Sequence, residues 1–233
     1  MSELARPRAL LLDWDNTLVD TWPCIGKATN ITLEAMGHAP WSEAEIRARV
    51  AGSLRDTFPR IYGERWEEAR EIYYKAFSDV HLEMLRALDG AEEVLNAALN
   101  AGLYLGVVSN KTGRYLRAEA DHLGWSRFFG KIVGAQDAHR DKPDPAPIHL
   151  ALSAGNIPAG ADVWFVGDAP IDVRCGRAAG CTTILLGPAP LRDEGGGALA
   201  HAPVDAHATV NDCAALLGLL RDHLSATSGR NPG

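Results

Sequence analysis

The chain has 233 residues, 46% of them hydrophobic, with 30 acidic against 23 basic side chains and a net charge of −7. It is long enough to bury a substantial core, as one domain with a large insertion or two small ones. Its scattered lysines and arginines argue against a nucleic-acid partner, which calls for a clustered basic footprint. The amino terminus lacks the charged-then-apolar pattern of a signal sequence and no apolar run could span a bilayer, so a cytoplasmic protein with no membrane partner is expected. Cys24, Cys175, Cys181 and Cys213 form no CxxC pair and read as reduced thiols. The eight histidines are dispersed, without the spacing of a metal site.

The first element is the run Ala9, Leu10, Leu11, Leu12, continuous rather than alternating, as expected of a strand covered on both faces of a parallel sheet. It ends in Asp13-Trp14-Asp15. At the carboxyl end of such a strand both carboxylates face the crevice where open α/β sheets bind ligands, with Trp14 turned away. Two neighbouring carboxylates repel each other, so the pair points to a bound cation or a shared proton. From residue 22 to 88 no strand-type run appears. A first helix through Ile25, Ile31 and Leu33 stops at Gly37, and Ser42 with Glu45 forms a capping-box pattern. A long helix over about 64–88 places Trp66, Ala69, Ile72, Tyr73, Ala76 and Phe77 on one face.

From Gly90 the pattern changes to alternating helix and strand. A helix ending at Gly102 leads to a strand over 103–108 that finishes in Ser109-Asn110, and a helix carrying Tyr115, Leu116 and Ala120 follows. A short strand at 131–134 precedes a polar segment in which Asp144 caps and Pro145 opens the next helix. The strand at 163–166 runs into Asp168 and Asp172. A helix over 173–179, a strand at 182–186, a last strand near 208–210 and a helix over 211–223 complete the chain. Gly195 to Gly197 read as a mobile loop and the tail from Ser225 as disordered. The units are an α/β domain of residues 1–19 and 87–233 and a helical domain of residues 20–86.

Three polar clusters, Asp13/Asp15, Ser109/Asn110 and Asp168/Asp172, each follow an apolar strand, and Lys142 sits near the same edge in topology. Singly, each reads as a turn, a cap or a solvated charge. Together they form a site with four carboxylates, for which Lys142 is the one cation the sequence clearly matches. In their order these motifs resemble the haloacid dehalogenase superfamily, and within it the phosphatases with a helical cap after the first strand, of phosphoglycolate phosphatase type. Asp13-Trp14-Asp15-Asn16-Thr17-Leu18 matches the first motif, Val107 to Asn110 the second, Lys142-Pro143 the third and Gly167 to Asp172 the fourth. Asn16 stands where many relatives have glycine, a change that a residue tolerating left-handed backbone absorbs. Ala169 replaces a common hydroxyl residue.

The resemblance implies a Rossmann-like parallel sheet with the helical domain as a cap. It also implies a Mg²⁺-dependent phosphatase acting through an aspartyl-phosphate. Asp13 is then the nucleophile and Asp15 the general acid and base. Mg²⁺ is held by Asp13, Asp168, Asp172 and the backbone carbonyl of Asp15. Ser109, Asn110, Lys142 and the helix amides after Ser109 bind the phosphoryl group, while Gly52 and Arg55 in a cap loop meet the substrate. Arg47, Arg49 and Arg55 read equally well as a solvated helix face. The expected partner is a small phosphorylated metabolite, best guessed as phosphoglycolate, with the protein a monomer or homodimer. A sugar phosphomutase of the β-phosphoglucomutase type keeps every one of these core residues and is the runner-up. A dehalogenase or phosphonatase should lack an acid at Asp15, and a phospho-aspartate receiver would need no sixty-residue insertion.

Overall fold

The computed structural model describes residues 4–50, 54–187 and 205–225; the side chains of 54–56, the glycine run at 195–197 and the tail beyond Ser225 lie outside the described residues. The chain divides into two compact units, Met1–Val19 with Ala87–Gly233, and Asp20–Arg86.

The first unit is an α/β fold built on a six-stranded sheet among the described residues. Its strands are β1 (Ala9–Leu12), β4 (Tyr104–Thr112), β5 (Lys131–Ala135), β6 (Val163–Gly167), β7 (Thr182–Leu186) and β8 (Ala208–Val210), in the order β5-β4-β1-β6-β7-β8. Every neighbouring pair is parallel. All four β1 side chains are fully buried, as the unbroken apolar run requires of a strand covered on both faces. Ala9 and Leu11 join Val108, Val133, Val163 and Phe165 in one cluster with Ile148, Ala151 and Leu152 of α7 (Ala146–Ser153). Burial of apolar surface on this scale, at about 25 cal/mol per Å², is the main force holding the sheet.

The register decides where the polar residues go. Leu12 pairs with Val107 on one side and Val166 on the other, and the Asp13 amide donates to the Val166 carbonyl at 2.9 Å. The residues that follow these three strands therefore emerge at one edge. Three local features differ from the sequence reading. Strand β4 continues through Ser109 and Asn110 to Thr112, with a register shift against β5 between Val108 and Thr112, so Ser109 is a strand residue and no helix cap. Helix α8 (Pro170–Ala178) starts three residues earlier than the pattern predicts, because proline suits the first helical turn and Asp172 caps it, Oδ2 accepting the Ala169 amide at 3.1 Å. Two-residue strands β2 (Val19–Asp20) and β3 (Arg86–Ala87), too short for any apolar run to show, pair with each other where the chain leaves and rejoins this unit.

The second unit is helical: α1 (Trp22–Ala35), α2 (Glu43–Arg49), α3 (Leu54–Tyr62) and α4 (Trp66–Met84). Its capping box is present as read, the Ser42 hydroxyl accepting the Glu45 amide at 3.3 Å and Glu45 accepting the Ser42 amide at 2.9 Å. Helix α4 buries Ala69, Tyr73, Ala76, Phe77 and also His81, which stacks on Phe77, while Trp66 and Ile72 are only half-buried. Helix α3 has no counterpart in the sequence reading, since Pro59 interrupts its pattern. No helix among the described residues is long and apolar enough to cross a membrane.

Gly167, the last residue of β6, has the Asp172 side chain where a Cβ would stand, well inside van der Waals contact. Gly167→Ala should therefore lower stability by about 1–3 kcal/mol, the usual cost of overpacking, which denaturant unfolding would read. It should also displace Asp172 and cost most of the turnover; an alanine variant as stable and active as the parent would contradict this packing.

Candidate active site

Asp13 is the first residue beyond β1 and is 7% exposed. Its Oδ1 accepts a hydrogen bond from Lys142 Nζ at 2.8 Å, and the same ammonium donates to Asp172 Oδ1 at 2.6 Å. Lys142 is 5% exposed and Asp172 1%, so this is a buried lysine shared between two buried carboxylates. Asp168, one residue past β6, completes the group: Asp13, Asp168 and Asp172 each offer an oxygen within 4.8 Å of the others. Lys142 is in turn fixed by Asn110, whose carboxamide accepts the Lys142 amide at 3.0 Å and donates to its carbonyl at 3.1 Å. Asn110, read from the sequence as a phosphate ligand, thus uses both ends of its side chain on the backbone of that lysine. Ser109 is buried on β4 and its hydroxyl accepts the Lys111 amide at 3.2 Å.

Asp15 lies in a tight turn. The Trp14 carbonyl accepts amides from Thr17, Leu18 and Val19, and Asn16 takes φ 57°, the left-handed conformation its side chain tolerates. Asp15 stands apart from the three-carboxylate group, because its Oδ1 accepts a hydrogen bond from Lys111 Nζ at 2.8 Å. That ammonium also reaches Glu119 Oε2 at 2.7 Å, on α6 (Gly113–His122), and the same Glu119 oxygen accepts the Trp14 indole N–H at 2.7 Å. Lys111 and Glu119 were absent from the sequence-predicted site, and Lys142 is not the one matched cation. The signal available in the sequence was a lysine two residues beyond Ser109, on a strand that runs further than its apolar part.

Burial and charge together set the ionisation of the buried group. Burial pushes the Asp13 carboxyl up to about 6 despite the opposing pull of Lys142, with Asp172 and Asp15 adding to the rise. Burial, then the charges of Asp13 and Asp172, push Asp168 up to about 8. Burial lowers the Lys142 pKa, but Asp13 and Asp172 overcome it and hold it above the ordinary lysine range. Lys111 is kept charged in the same way by Asp15 and Glu119. The three-carboxylate group therefore carries more negative charge than its single ammonium offsets. Its donors are all oxygen, which suits a hard divalent ion rather than a soft one.

The model of the family described as haloacid dehalogenase-like hydrolase matches residues 10–186. The chain belongs to the haloacid dehalogenase-like hydrolases. Among curated relatives it is similar to the N-acetylmuramic acid 6-phosphate phosphatase of Pseudomonas aeruginosa, 33% identical over 186 residues that cover 78% of this chain and 82% of that one. It is also similar to a phosphoglycolate phosphatase of Pseudomonas savastanoi pv. phaseolicola, 27% identical over 190 residues, 77% of this chain and 69% of that one. A solved HAD-superfamily hydrolase from Ehrlichia chaffeensis matches with a TM-score of 0.66 at 25% identity, covering 96% of this chain and all of that one. With this membership the chain is a phosphoric monoester hydrolase.

The sequence-predicted residues of the sheet unit, Asp13, Asp15, Ser109, Asn110, Lys142, Asp168 and Asp172, all lie along this edge. The residues expected to read substrate are a separate matter. Gly52 lies outside the described residues, and Arg55 falls in the first turn of α3 with its side chain also outside them. Arg47 and Arg49 are engaged within the helical unit, paired with Glu43 and Glu45 one turn back and lying over Trp22 and Trp41.

A raised carboxyl pKa in the folded state means that folding favours the protonated form, so the stability it contributes is present at low pH and lost as pH rises through the folded value. In excess chelator, the melting temperature should fall as pH is raised from the ordinary aspartate value of 3.8, through Asp13 as far as about 6 and through Asp168 as far as about 8. Asp168→Asn should flatten the upper part of that decline. Parent and variant profiles of equal slope in thermal melts would show that the buried carboxylates do not carry this charge.

Proposed function

We propose that the chain hydrolyses a small-molecule phosphomonoester in two phosphoryl transfers, with Asp13 as nucleophile and Asp15 as general acid, then general base. The observation that carries this reading is that two aspartates, two residues apart, are given different partners. Asp13 is buried against Lys142, which holds one carboxylate oxygen and orients the group, while Asp15 is 30% exposed at its side chain and is bound by Lys111. A nucleophile must be fixed, and an acid and base must reach a leaving oxygen and then a water. Lys142 and the Ser109 hydroxyl are the groups that would meet phosphoryl oxygens, the former as a charge and the latter as a donor.

The acidic group fits a divalent metal, for which Mg²⁺ is the reading its all-oxygen donors support. Asp13, Asp168, Asp172 and the Asp15 backbone carbonyl would hold it, and it would supply neutralising charge beside the phosphate dianion. The residues 20–86 would serve as the cap, the unit to which the sequence resemblance assigns Gly52 and Arg55 as substrate-reading residues. The curated relatives act on phosphoglycolate and N-acetylmuramic acid 6-phosphate, two phosphomonoesters that also bear a carboxylate. That shared chemistry supports a small, carboxylate-bearing phosphomonoester as the substrate class, with phosphoglycolate first among the candidates.

Asp13→Asn should keep the fold and lose nearly all turnover, since an amide cannot attack phosphorus. Activity within about tenfold of the parent, only ~1.4 kcal/mol of barrier, would remove Asp13 from that role.

A phosphate-release screen over small phosphomonoesters should show turnover with Mg²⁺, none in excess EDTA, and preference for substrates carrying a carboxylate. Ca²⁺, with its longer bonds and larger coordination number, should support turnover poorly. Isomerised sugar rather than free phosphate from hexose 1-phosphates would indicate a mutase instead.

A further inference from the structure

Lys111 has so far been given a contact with Asp15 but no task of its own, and its side chain is only 7% exposed. Its ammonium is fixed from two sides. Asp15 Oδ1 lies at 2.8 Å, and Glu119 Oε2, on a residue with no exposed surface, lies at 2.7 Å. Glu119 is itself anchored by the Trp14 indole at 2.7 Å on that same oxygen, and Trp14 is fully buried between the two aspartates in sequence. Burying a glutamate is costly unless it is paired and hydrogen-bonded. Its arrangement is accounted for if it holds the lysine where the lysine holds Asp15.

We propose that Lys111, anchored by Glu119, is a positioning residue that holds Asp15 by Oδ1 and so leaves Oδ2 as the one oxygen that exchanges a proton during the reaction. The inference rests on Asp15 being the general acid and base. An ammonium has three donors and no acceptor, so the oxygen it binds can only accept and cannot present a proton to it. In the first transfer an Asp13 oxygen bonds to phosphorus and the bond from phosphorus to the ester oxygen breaks, its electron pair going to that oxygen. The proton on Asp15 Oδ2 moves to the leaving oxygen, which departs as an alcohol. In the second transfer the oxygen of a water bonds to phosphorus, Asp15 Oδ2 takes a proton from that water, and the Asp13–phosphorus bond breaks to restore the carboxylate. Without the lysine the Asp15 carboxyl rotates, and its two oxygens interchange between these steps. The loss should then fall on the step that needs a proton delivered in place.

The test uses leaving groups of different basicity. An alkyl phosphate requires protonation of its leaving oxygen, whereas p-nitrophenolate departs without it. Lys111→Met, with folding checked by thermal melt, should lower kcat/KM for an alkyl phosphate by on the order of tenfold or more, part of the 10²–10⁴ that a positioned acid contributes, and for p-nitrophenyl phosphate by less than about threefold. Added to Asp15→Asn, it should cause no further loss on the alkyl substrate, because both act through one group. Equal losses on the two substrates, or additive losses in the double variant, would overturn the role of Lys111. If Lys111→Met does not fold, Glu119→Gln decides, with the same split expected and equal losses overturning it. Should Asp15→Asn alone leave alkyl phosphate hydrolysis intact, the reading of Asp15 fails and takes this one with it. A normal Asp15→Asn loss with an unsplit Lys111→Met response overturns the positioning role alone.

Discussion

Three carboxylates within 4.8 Å of one another, mostly out of water, are the arrangement that the rest of the sheet unit has to sustain. At about 4 Å and an effective dielectric of about 20, each pair of like charges costs on the order of 4 kcal/mol, so the group cannot stand fully ionised by itself. Lys142 offsets part of this by donating to both Asp13 and Asp172. Its own burial would be unfavourable without them. The remainder appears as the raised pKa of Asp168 and Asp13, a site that favours either a proton or a cation.

Much of the surrounding structure follows from holding that lysine and those carboxylates still. The parallel register sets Leu12 between Val107 and Val166, which brings Asp13, Ser109 and Asp168 to one edge of the sheet. Asn110 clamps the backbone of Lys142 across 32 residues of chain. Asp172 is held both by Lys142 and by the first turn of α8, where a carboxylate also meets the positive end of the helix. Gly167 leaves the space that Asp172 fills. Removing Lys142, or either carboxylate it binds, leaves a buried charge short of its partner, which costs more than the contact itself contributes.

A second ion-pair system runs beside the first. Asp13 answers to Lys142, and Asp15, two residues on, answers to Lys111 and through it to Glu119 and Trp14. Separate cations let neighbouring aspartates on one short segment hold different environments, which is what the proposed roles of a fixed attacker and a proton-exchanging neighbour require. The residue between them, read from the sequence only as turned away, is the anchor of the second system.

What the sequence by itself determined is what depends on neighbours along the chain. The unbroken apolar run at residues 9–12 marked a strand covered on both faces, the Ser42 and Glu45 spacing marked a helix start, and Asn16 marked a left-handed turn. Each is set by local periodicity or backbone preference, and so were the positions of Asp13 and Asp168 just past the ends of their strands. The tertiary structure alone decided how these residues are paired. Lys111 meets Asp15 across 96 residues and Trp14 meets Glu119 across 105, contacts that exist only once β4 is extended to Thr112 and laid beside β1 in register. A lysine and a glutamate in a polar stretch look solvated until the sheet buries them, because burial and charge pairing are properties of the space around a side chain and not of its neighbours in sequence.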